Sequence, residues 1–331
     1  LVSKYIGLSE RVQACAGSLS LHTCVVVASG ALKCWGDNNY GQLGIGLTSS
    51  YEGGTDAFVE LGGGLQAKQV YTGGFATLAT LTTGRIKCWG LFSAYCYCDT
   101  EHRGNSASSM GDHLPLLDLG TDADAAMTDS SGYLTAVAAH AGWFHACAVL
   151  STGKVKCWGQ GEYLGYEDTL DRGSGPGELG NNLPAVNLGV DYTVTQLAVG
   201  GEHTCAVLDS KGVKCWGPGS GNGQLGHGDS AGRGQDADMG DQLPFVDLGD
   251  TSHSIVQISA GGYATCVLFD HGYIKCWGRA LEGQLGYGDE LSRGSSSVHM
   301  GKNLPFVDLG QGVTATRVSA GQYHNCAVLT D

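Results

Sequence analysis

Short apolar stretches separated by glycine-rich turns recur along the whole chain. The clearest one, residues 205–217, has the pattern of two short strands joined by a tight turn. Apolar and polar positions do not alternate cleanly there, because Val213 and Cys215 point to one face and Lys214 and Trp216 to the other. Similar stretches are found at residues 24–36, 78–90, 147–159 and 266–278, and a further copy begins at residue 326. The pattern predicts repeated antiparallel hairpins that are buried on both faces.

The turn chemistry of these copies supports a hairpin. Most place glycine third in a three-residue loop, where a left-handed residue is favoured; these are Gly30, Gly84, Gly153 and Gly272, while Gly212 comes one place later. Four copies also carry cysteines ten residues apart, at positions that the hairpin brings face to face. Opposed residues lie roughly 5.5 Å apart at Cα, a separation that a disulfide accepts. We therefore predict the disulfides Cys24–Cys34, Cys147–Cys157, Cys205–Cys215 and Cys266–Cys276.

The other five of the 13 cysteines fit the repeat less simply. Leu78 replaces the first cysteine of the second copy, so Cys88 is expected to pair with Cys96 or Cys98, and Cys15 is not excluded as a partner. Cys326 is expected to lack its mate because its hairpin is cut off at the end of this sequence. Buried free thiols are the alternative, but four identical spacings favour disulfides. This cysteine usage indicates an oxidising compartment, and hence an extracellular or cell-surface protein.

The repeat is longer than the hairpin, with a spacing of 54 to 69 residues between equivalent positions. Each unit has an initial strand, the hairpin pair, a loop with Gly-Gln-Leu-Gly in three copies, and a last strand announced by Leu-Pro. Fifty-five glycines with only six prolines favour many tight turns over disorder. The sequence predicts an all-β fold, a β-propeller of four-stranded blades, because one constant unit is copied. A two-sheet sandwich is the alternative, although it requires no such copying.

We predict that residues 1–331 form a single propeller domain of about five and a half repeats, with six to seven blades and the last blade incomplete. The chain begins with Leu1 and shows no signal peptide, so we expect a processed or excerpted stretch of a longer protein. A tryptophan follows the second cysteine position of each hairpin and is expected to pack between blades. These tryptophans are Trp35, Trp89, Trp158, Trp216 and Trp277.

The second repeat departs most from the pattern, with loop insertions at residues 91–113 and 121–134. Insertions in repeat proteins map to loops and often carry binding, although a loop that is merely pinned by a disulfide is an equal alternative. The first insertion supplies the predicted interaction residues. They are Phe92, Tyr95, Tyr97, Asp99, Glu101, His102 and Arg103.

Charge and composition exclude several kinds of partner. The net charge is -14 and no lysine or arginine run is present, so nucleic acid is not expected as a partner. No apolar run of about 18 residues exists, so membrane insertion is not expected either. Cations and basic proteins are better candidates, and a glycan partner stays open.

Few residues suggest a metal site or catalysis. Histidines recur two residues before the hairpin cysteine, but Ala76 and Ala264 replace them in two copies, which favours structural hydrogen bonds over ligation. Acidic residues at 122, 124 and 129 and at 236–241 could offer oxygens to calcium, but they lack the glycine and glutamate of the twelve-residue calcium loop. Solvated acidic loops and no cofactor are therefore expected. No nucleophile elbow, zinc-protease motif or phosphate loop occurs, so we predict that the chain is not an enzyme.

At the level of motifs, the repeat resembles that of the regulator of chromosome condensation family. The resemblance rests on residues 201–208, on Gly-Val-Lys-Cys-Trp-Gly at 212–217 and on Gly-Gln-Leu-Gly at 223–226, and it covers nearly the whole chain. It implies a seven-bladed propeller. The family includes a nucleotide exchange factor for a small GTPase, plant photoreceptors for ultraviolet-B light, and a bacterial inhibitor of β-lactamases. The photoreceptor motif Gly-Trp-Arg-His-Thr is matched only by residues 142–146, where Phe144 replaces the arginine.

The resemblance and the residues together predict a non-catalytic extracellular scaffold. In the first hypothesis the chain is a subunit of a surface assembly or fibre, and its partners are copies of itself. A strand from a neighbouring copy then completes the open blade. In the second, the propeller closes on itself and binds a soluble protein or a glycan. The third, a guanine nucleotide exchange factor, predicts reduced thiols instead of disulfides.

Overall fold

The computed structural model describes residues 12–16, 20–50, 57–91, 93–122, 126–209 and 212–330, with backbone only for residues 12–16, 93 and 94. The chain divides into two compact units. Unit 1 comprises Leu1–Gly159 and Asp171–Ala185, and unit 2 comprises Gln160–Leu170 and Val186–Asp331. The single domain over residues 1–331 stays a prediction.

Unit 1 contains three antiparallel sheets, each formed by three strands that are consecutive in the chain. Adjacent sheets pack on one another. The first strand of each sheet contacts the second strand of the preceding sheet. The strands are β1 (Val12–Ala16), β2 (His22–Val27), β3 (Leu32–Gly36), β4 (Ala67–Gly73), β5 (Ala76–Leu81), β6 (Ile86–Gly90), β7 (Ala136–Ala141), β8 (His145–Leu150) and β9 (Val155–Gly159).

Unit 2 repeats this arrangement, with two three-stranded sheets and a two-stranded one among its described residues. Its strands are β10 (Val194–Val199), β11 (Thr204–Leu208), β12 (Gly212–Trp216), β13 (Ile255–Ala260), β14 (Ala264–Phe269), β15 (Ile274–Gly278), β16 (Ala315–Ala320) and β17 (Asn325–Leu329). We number the six repeats by these sheets, so that repeat 1 holds β1–β3 and repeat 6 holds β16 and β17.

The helices of the described residues are short. The helix α1 spans Ser93–Tyr97 in the first insertion of repeat 2. Single 3₁₀ turns lie at Ala107–Ser109, Gly111–His113, Gly161–Tyr163, Gly180–Asn182, Gly240–Gln242, Ser297–His299 and Gly301–Asn303. None of the helices in the described residues has the length and apolar character needed to cross a membrane.

The predicted hairpins are present in register. Cys24 lies opposite Cys34, and the same pairing holds for the equivalent positions of β8/β9, β11/β12 and β14/β15. The turn glycines adopt the left-handed backbone that the loop requires, with φ of 79° at Gly30 and 84° at Gly272. The loop chemistry therefore fixes which residues face each other across each hairpin.

Disulfides close four of these hairpins: Cys24–Cys34, Cys147–Cys157, Cys205–Cys215 and Cys266–Cys276. Their Cα atoms are 4.0 to 4.1 Å apart, closer than the separation expected from the sequence. The reason is the register, since each cysteine pair occupies a non-hydrogen-bonded position of the ladder, where opposed residues approach most closely.

The prediction of four strands per repeat is wrong for the described sheets, which have three or, in repeat 6, two. The segment after each Leu-Pro is extended and lies beside the third strand, but it does not continue the ladder. Val59, Leu117, Val246 and Val307 each donate one backbone N–H to that strand at 2.8 Å. A single bond does not form a ladder; proline lacks the N–H that would add a second one at Pro115 and its equivalents, while repeat 1 has Ala57 there and is three-stranded too.

Neighbouring repeats share their cores through the hairpin tryptophans. Trp89 packs among residues of repeat 1, and Trp277 packs among residues of repeat 4. The indole N–H of Trp89 donates to Gln42 O at 2.9 Å, and that of Trp277 donates to Gln224 O at 3.0 Å. Each carbonyl belongs to the Gly-Gln-Leu-Gly turn of the preceding repeat, so this turn fixes the position of the next sheet.

The repeated histidines take part in the same contact. His22 Nε2 and Thr77 Oγ1 are 2.7 Å apart, and Thr77 Oγ1 donates to Gln42 O at 2.7 Å. His203 and Thr265 form the equivalent pair in unit 2, also at 2.7 Å. Burial lowers the pKa of His22 and of His203 to about 3, so both rings are neutral. For these two histidines the predicted structural role is confirmed.

The histidine and its threonine partner are also absent together. Ala76 replaces the histidine of repeat 2, and Ala146 replaces the threonine of repeat 3. Likewise, Ala264 replaces the histidine of repeat 5, and Asn325 replaces the threonine of repeat 6. A buried imidazole without its hydroxyl partner would leave a polar group unsatisfied, which explains why the two residues change together.

Buried lysines fix the loops around each third strand. Lys87 Nζ donates to Leu61 O at 2.7 Å and to Gly111 O at 2.8 Å. Desolvation lowers the pKa of the Lys87 ammonium, and the nearby carboxylate of Asp112 partly restores it. The lysines that take this role have at most 7% of their surface exposed; they are Lys87, Lys156, Lys214 and Lys275.

Candidate interaction surface

The first insertion of repeat 2 is held by the cysteine that has no partner in its own hairpin. Leu78 lies opposite Cys88 in the β5/β6 ladder, and Cys88 is bonded instead to Cys96. This disulfide attaches helix α1 to strand β6. Of the two partners left open by the sequence, the structure thus pairs Cys88 with Cys96, and Cys98 is a free thiol. For Cys15 only the backbone position in β1 is described.

Tyr97 anchors the end of the helix to the sheet. Its hydroxyl accepts the N–H of Cys88 at 3.0 Å and lies within hydrogen-bonding distance of Cys88 O and Pro115 O. Desolvation raises the pKa of Tyr97 well above its usual range, so the phenol stays protonated. Tyr287 makes the same contacts in repeat 5, with Cys276 and Pro305.

Asp99 and Arg103 form an ion pair beside this tyrosine. The two carboxylate oxygens accept from the guanidinium at 3.0 and 2.6 Å, and the guanidinium lies 4.6 Å from the Tyr97 ring centre. The hydrogen bond from Arg103 lowers the pKa of Asp99. Asp289 and Arg293 repeat the pair in repeat 5, with distances of 2.9 and 2.8 Å.

Tyr97, Asp99 and Arg103 therefore support the loop from within. The sequence contains a signal for this internal role. Four repeats share a pattern of Tyr or His, followed by Asp two residues later and by Arg four residues after the Asp. The four sets begin at residues 97, 166, 227 and 287.

Cys98 also occupies a repeated structural position. Its φ of 55° is left-handed, as are the equivalent Glu167 at 62°, Gly228 at 78° and Gly288 at 75°. The thiol is half-buried and accepts hydrogen bonds from the backbone N–H groups of Glu178 and Leu179. Desolvation raises the pKa of Cys98, which makes it a poor nucleophile.

The other predicted interaction residues differ in exposure. Glu101 and His102 are exposed at the tip of the loop, so a binding role for them stays a prediction. Tyr95 is half-buried, and its hydroxyl donates to Asp171 Oδ2 at 3.3 Å. Phe92 lies outside the described residues.

A different surface of unit 1 presents aromatic side chains to solvent. We call it the aromatic end and define it by Tyr40, Phe75, Trp143 and Phe144. Phe75 and Phe144 occupy the same turn, between the first and second strands of repeats 2 and 3, and each is 40% exposed. Tyr40, in the loop after β3, is 41% exposed, and its ring centre lies 5.1 Å from that of Phe75.

The aromatic end is continuous across the two sheets. Gly74 N donates to Gly142 O at 3.2 Å, which places the two turns side by side. A Cβ atom on Gly74 would lie 3.3 Å from Trp143 Cδ1, so the indole lies against the turn that carries Phe75. The Trp143 and Phe144 ring centres are 6.4 Å apart. Sequence reasoning noted residues 142–146 only for the missing arginine and did not find this surface.

The same turn in unit 2 is more polar. Tyr263 donates its hydroxyl to Glu202 Oε1 at 3.2 Å, and the guanidinium of Arg279 lies 5.7 Å from the ring centre of Tyr323. Desolvation, with a contribution from the Glu202 carboxylate, raises the pKa of Tyr263 to about 12. Unit 1 therefore has the more apolar of the two surfaces.

The carboxylates considered for calcium have other contacts in the structure. Asp129 accepts from Arg85 at 2.9 Å, and Asp238 accepts the backbone N–H of Gly234 at 2.7 Å. Asp124 lies outside the described residues. The sequence did not favour calcium binding by these carboxylates, and that expectation stays a prediction.

Solved structures identify the class of protein. Human WBSCR16 superposes with a TM-score of 0.72 at 17% identity, over 97% of this chain and 73% of that one. Prp20p from Saccharomyces cerevisiae superposes with a TM-score of 0.68 at 14% identity, over 99% and 72%. At such low identity the likeness concerns the fold alone. The chain is thus a nearly all-β protein of the β-propeller class.

Sequence comparison names the repeat. Residues 13–42, 135–163, 194–224 and 255–284 match the family model of the regulator of chromosome condensation (RCC1) repeat. These four segments therefore match RCC1 repeats, as the motifs indicated, and each contains one of the four hairpin disulfides.

Two curated relatives from Arabidopsis thaliana share these repeats. The ultraviolet-B receptor UVR8 is 26% identical over 289 residues, which is 87% of this chain and 57% of the receptor. The mitochondrial RCC1 domain-containing protein RUG3 is 28% identical over 56% of this chain and 38% of its own length. The chain thus spans about half the length of these relatives, or less.

Proposed function

We propose that this chain is a non-catalytic, extracellular interaction scaffold that docks proteins through the aromatic end of unit 1, including further copies of itself in a surface assembly or fibre. The observation that carries the proposal is the exposure of Tyr40, Phe75 and Phe144, which with Trp143 form one continuous aromatic surface. Aromatic residues are enriched in the cores of protein interfaces and provide most of their anchors.

The disulfides support the extracellular part of the proposal. Five intrachain bonds are present among the described residues, and such bonds persist in oxidising compartments but are rare in the cytosol. Among relatives of the same fold, yeast RCC1 (Prp20) has been crystallised with Kap60, and Prp20p has been studied for binding to Gsp1p and histones. These are protein partners, which favours a protein-binding role for this propeller too.

Self-association is tested by sedimentation velocity over a concentration series. We expect the parent chain to associate and the Phe75→Asp and Phe144→Asp variants to stay monomeric, because a charge in an apolar contact is not compensated. Val298→Asp is the matched control, since Val298 is apolar and 64% exposed but belongs to unit 2.

A parent chain that is monomeric at every concentration would contradict self-assembly. Glycan-array binding that is lost in Phe75→Asp would instead favour the glycan alternative. The compartment is tested by alkylation and mass spectrometry without reduction, on protein from its native source. We expect Cys24 and Cys34 to be protected, and labelling of both would refute an extracellular location.

A further inference from the structure

Repeat 5 contains a cluster of ligating side chains outside the aromatic end. Asp250, His253 and His271 each offer one ligand atom, and these atoms lie within 4.8 Å of one another. Asp250 and His253 belong to the loop before β13, and His271 belongs to the hairpin turn between β14 and β15. All three lie in unit 2.

The fold does not require histidine at either position. The equivalent residues of the hairpin turn are Ser29, Thr83 and Thr152, and those before the first strand include Leu65 and Tyr192. The loop of repeat 5, which contains Asp250, is also one residue longer than that of repeat 4. The three ligating groups are therefore additions to the repeat.

His271 is held in place but is not satisfied. Its ring lies edge-on to Phe269, Tyr273 and Phe306, with centre distances of 5.7, 4.8 and 5.4 Å. Its Nδ1 atom is buried and has no hydrogen-bond partner among the described residues. The nearest carboxylate oxygen in an ion pair, Asp270 Oδ1, is 3.8 Å away. A buried polar atom without a partner indicates a missing ligand or a neighbour that must move.

Asp250 is prepared as an anionic ligand. It accepts from the Ser252 backbone N–H and Ser252 Oγ, both at 2.9 Å, and from His253 Nδ1 at 2.9 Å. Hydrogen bonds of this kind favour the ionised carboxylate and hold it in place. The ammonium of Lys275 is close enough to interact with the Asp250 carboxylate.

We infer that Asp250, His253 and His271 bind one divalent transition-metal ion of the zinc class. Two imidazoles and one carboxylate suit zinc, whereas calcium prefers six or more oxygen ligands. Three protein ligands leave a fourth position for water or for a group on a partner. Asp250 and His253 also line a cavity of about 620 Å³, which has room for such a group.

Metal binding requires a small rearrangement. A tetrahedral zinc ion with bonds of about 2.1 Å holds its donor atoms roughly 3.4 Å apart. The His253 and His271 rings are now stacked, with centres 3.8 Å apart and planes 4° from parallel, so their lone pairs do not converge. His253 is exposed and turns toward the fixed His271, giving up its hydrogen bond to Asp250 as the metal replaces the proton.

Calorimetric titration with Zn²⁺ tests the inference, on tag-free chain with its disulfides intact. All proteins carry Cys326→Ser, because Cys326 is an exposed free thiol that binds zinc by itself. We expect one zinc ion per chain, no measurable Ca²⁺ binding at equal concentration, and a rise in melting temperature with Zn²⁺.

The informative variants are His271→Thr and His253→Leu, which restore residues that other repeats carry at these positions and are therefore expected to fold. Each should weaken zinc binding at least about tenfold and abolish the rise in melting temperature. His102→Ala removes an exposed histidine of unit 1 and should change neither. The inference is overturned if zinc binds both variants as tightly as the parent, or if the parent binds no zinc.

Discussion

The contact between repeats 4 and 5 can be tested at a single hydroxyl group. Thr265 Oγ1 donates to Gln224 O at 3.2 Å and lies 2.7 Å from His203 Nε2. Because the hydroxyl proton goes to the carbonyl, the imidazole N–H must donate to the hydroxyl oxygen. Thr265→Val keeps the shape of the side chain and removes that acceptor.

The expected cost follows from burial. His203 and Thr265 are both fully buried, so water cannot reach the N–H that the variant leaves without a partner. Such a group costs about 1–3 kcal/mol. In a His203→Ala background, Thr265→Val removes only the hydrogen bond from Thr265 to Gln224 O. That carbonyl still accepts the indole N–H of Trp277, so the substitution should lower the free energy of unfolding by less than about 1 kcal/mol.

Urea unfolding followed by tryptophan fluorescence measures these free energies on the four proteins of a double-mutant cycle. We expect a coupling free energy of about 1–2 kcal/mol between His203 and Thr265. Thr80→Val serves as a control, since it also removes a fully buried hydroxyl but lies outside the histidine contact. Additive effects of the two changes, within about 0.5 kcal/mol, would refute the account of why histidine and threonine change together.

Two further predictions concern stability. Because the folded pKa of His22 and His203 is about 3 and their usual value is 6.5, the unfolded chain binds more protons below pH 6.5. The free energy of unfolding should therefore fall by about 1.4 kcal/mol per pH unit for each histidine as the pH drops from 6.5 toward 3. His22→Ala should reduce this slope, and an unchanged slope would contradict a buried, neutral His22. Replacing Cys205 and Cys215 together by alanine should cost about 2–3 kcal/mol, measured by urea unfolding, because a loop of ten residues is no longer closed in the unfolded chain. A loss below about 0.5 kcal/mol would show that the bond contributes little.

The hairpins could be predicted from local chemistry, because turn glycine and paired cysteine positions fix a register within a dozen residues. The partner of Cys88 could not, since Cys96 and Cys98 are both close along the chain and only the geometry of helix α1 selects between them. The sequence also suggested a fourth strand, but the segment concerned makes a single backbone hydrogen bond to the third strand. Periodicity reports neither the geometry of a short helix nor the number of backbone hydrogen bonds that a segment makes.

The candidate sites show the same limit. That Tyr97 and Arg103 bind a partner stays a prediction, whereas comparison with Tyr287 and Arg293 in the sequence could have revealed that they also support the loop. The aromatic end combines residues from three separate loops, and His271 reaches Asp250 only because the β13/β14 pairing brings their loops together. Such groupings depend on how sheets and turns meet in space.

The buried lysines change where the charge of this protein lies. Lys87, Lys156, Lys214 and Lys275 contribute to the net charge of -14, yet they lie beneath the surface, with 1 to 7% of their area exposed. The four ammonium groups still contribute to the long-range field, so an approaching molecule meets the full net charge of -14, but at contact they cannot pair with carboxylates of a partner. Association with a cationic partner should be faster at low ionic strength, and an anionic partner finds few of these lysines to bind.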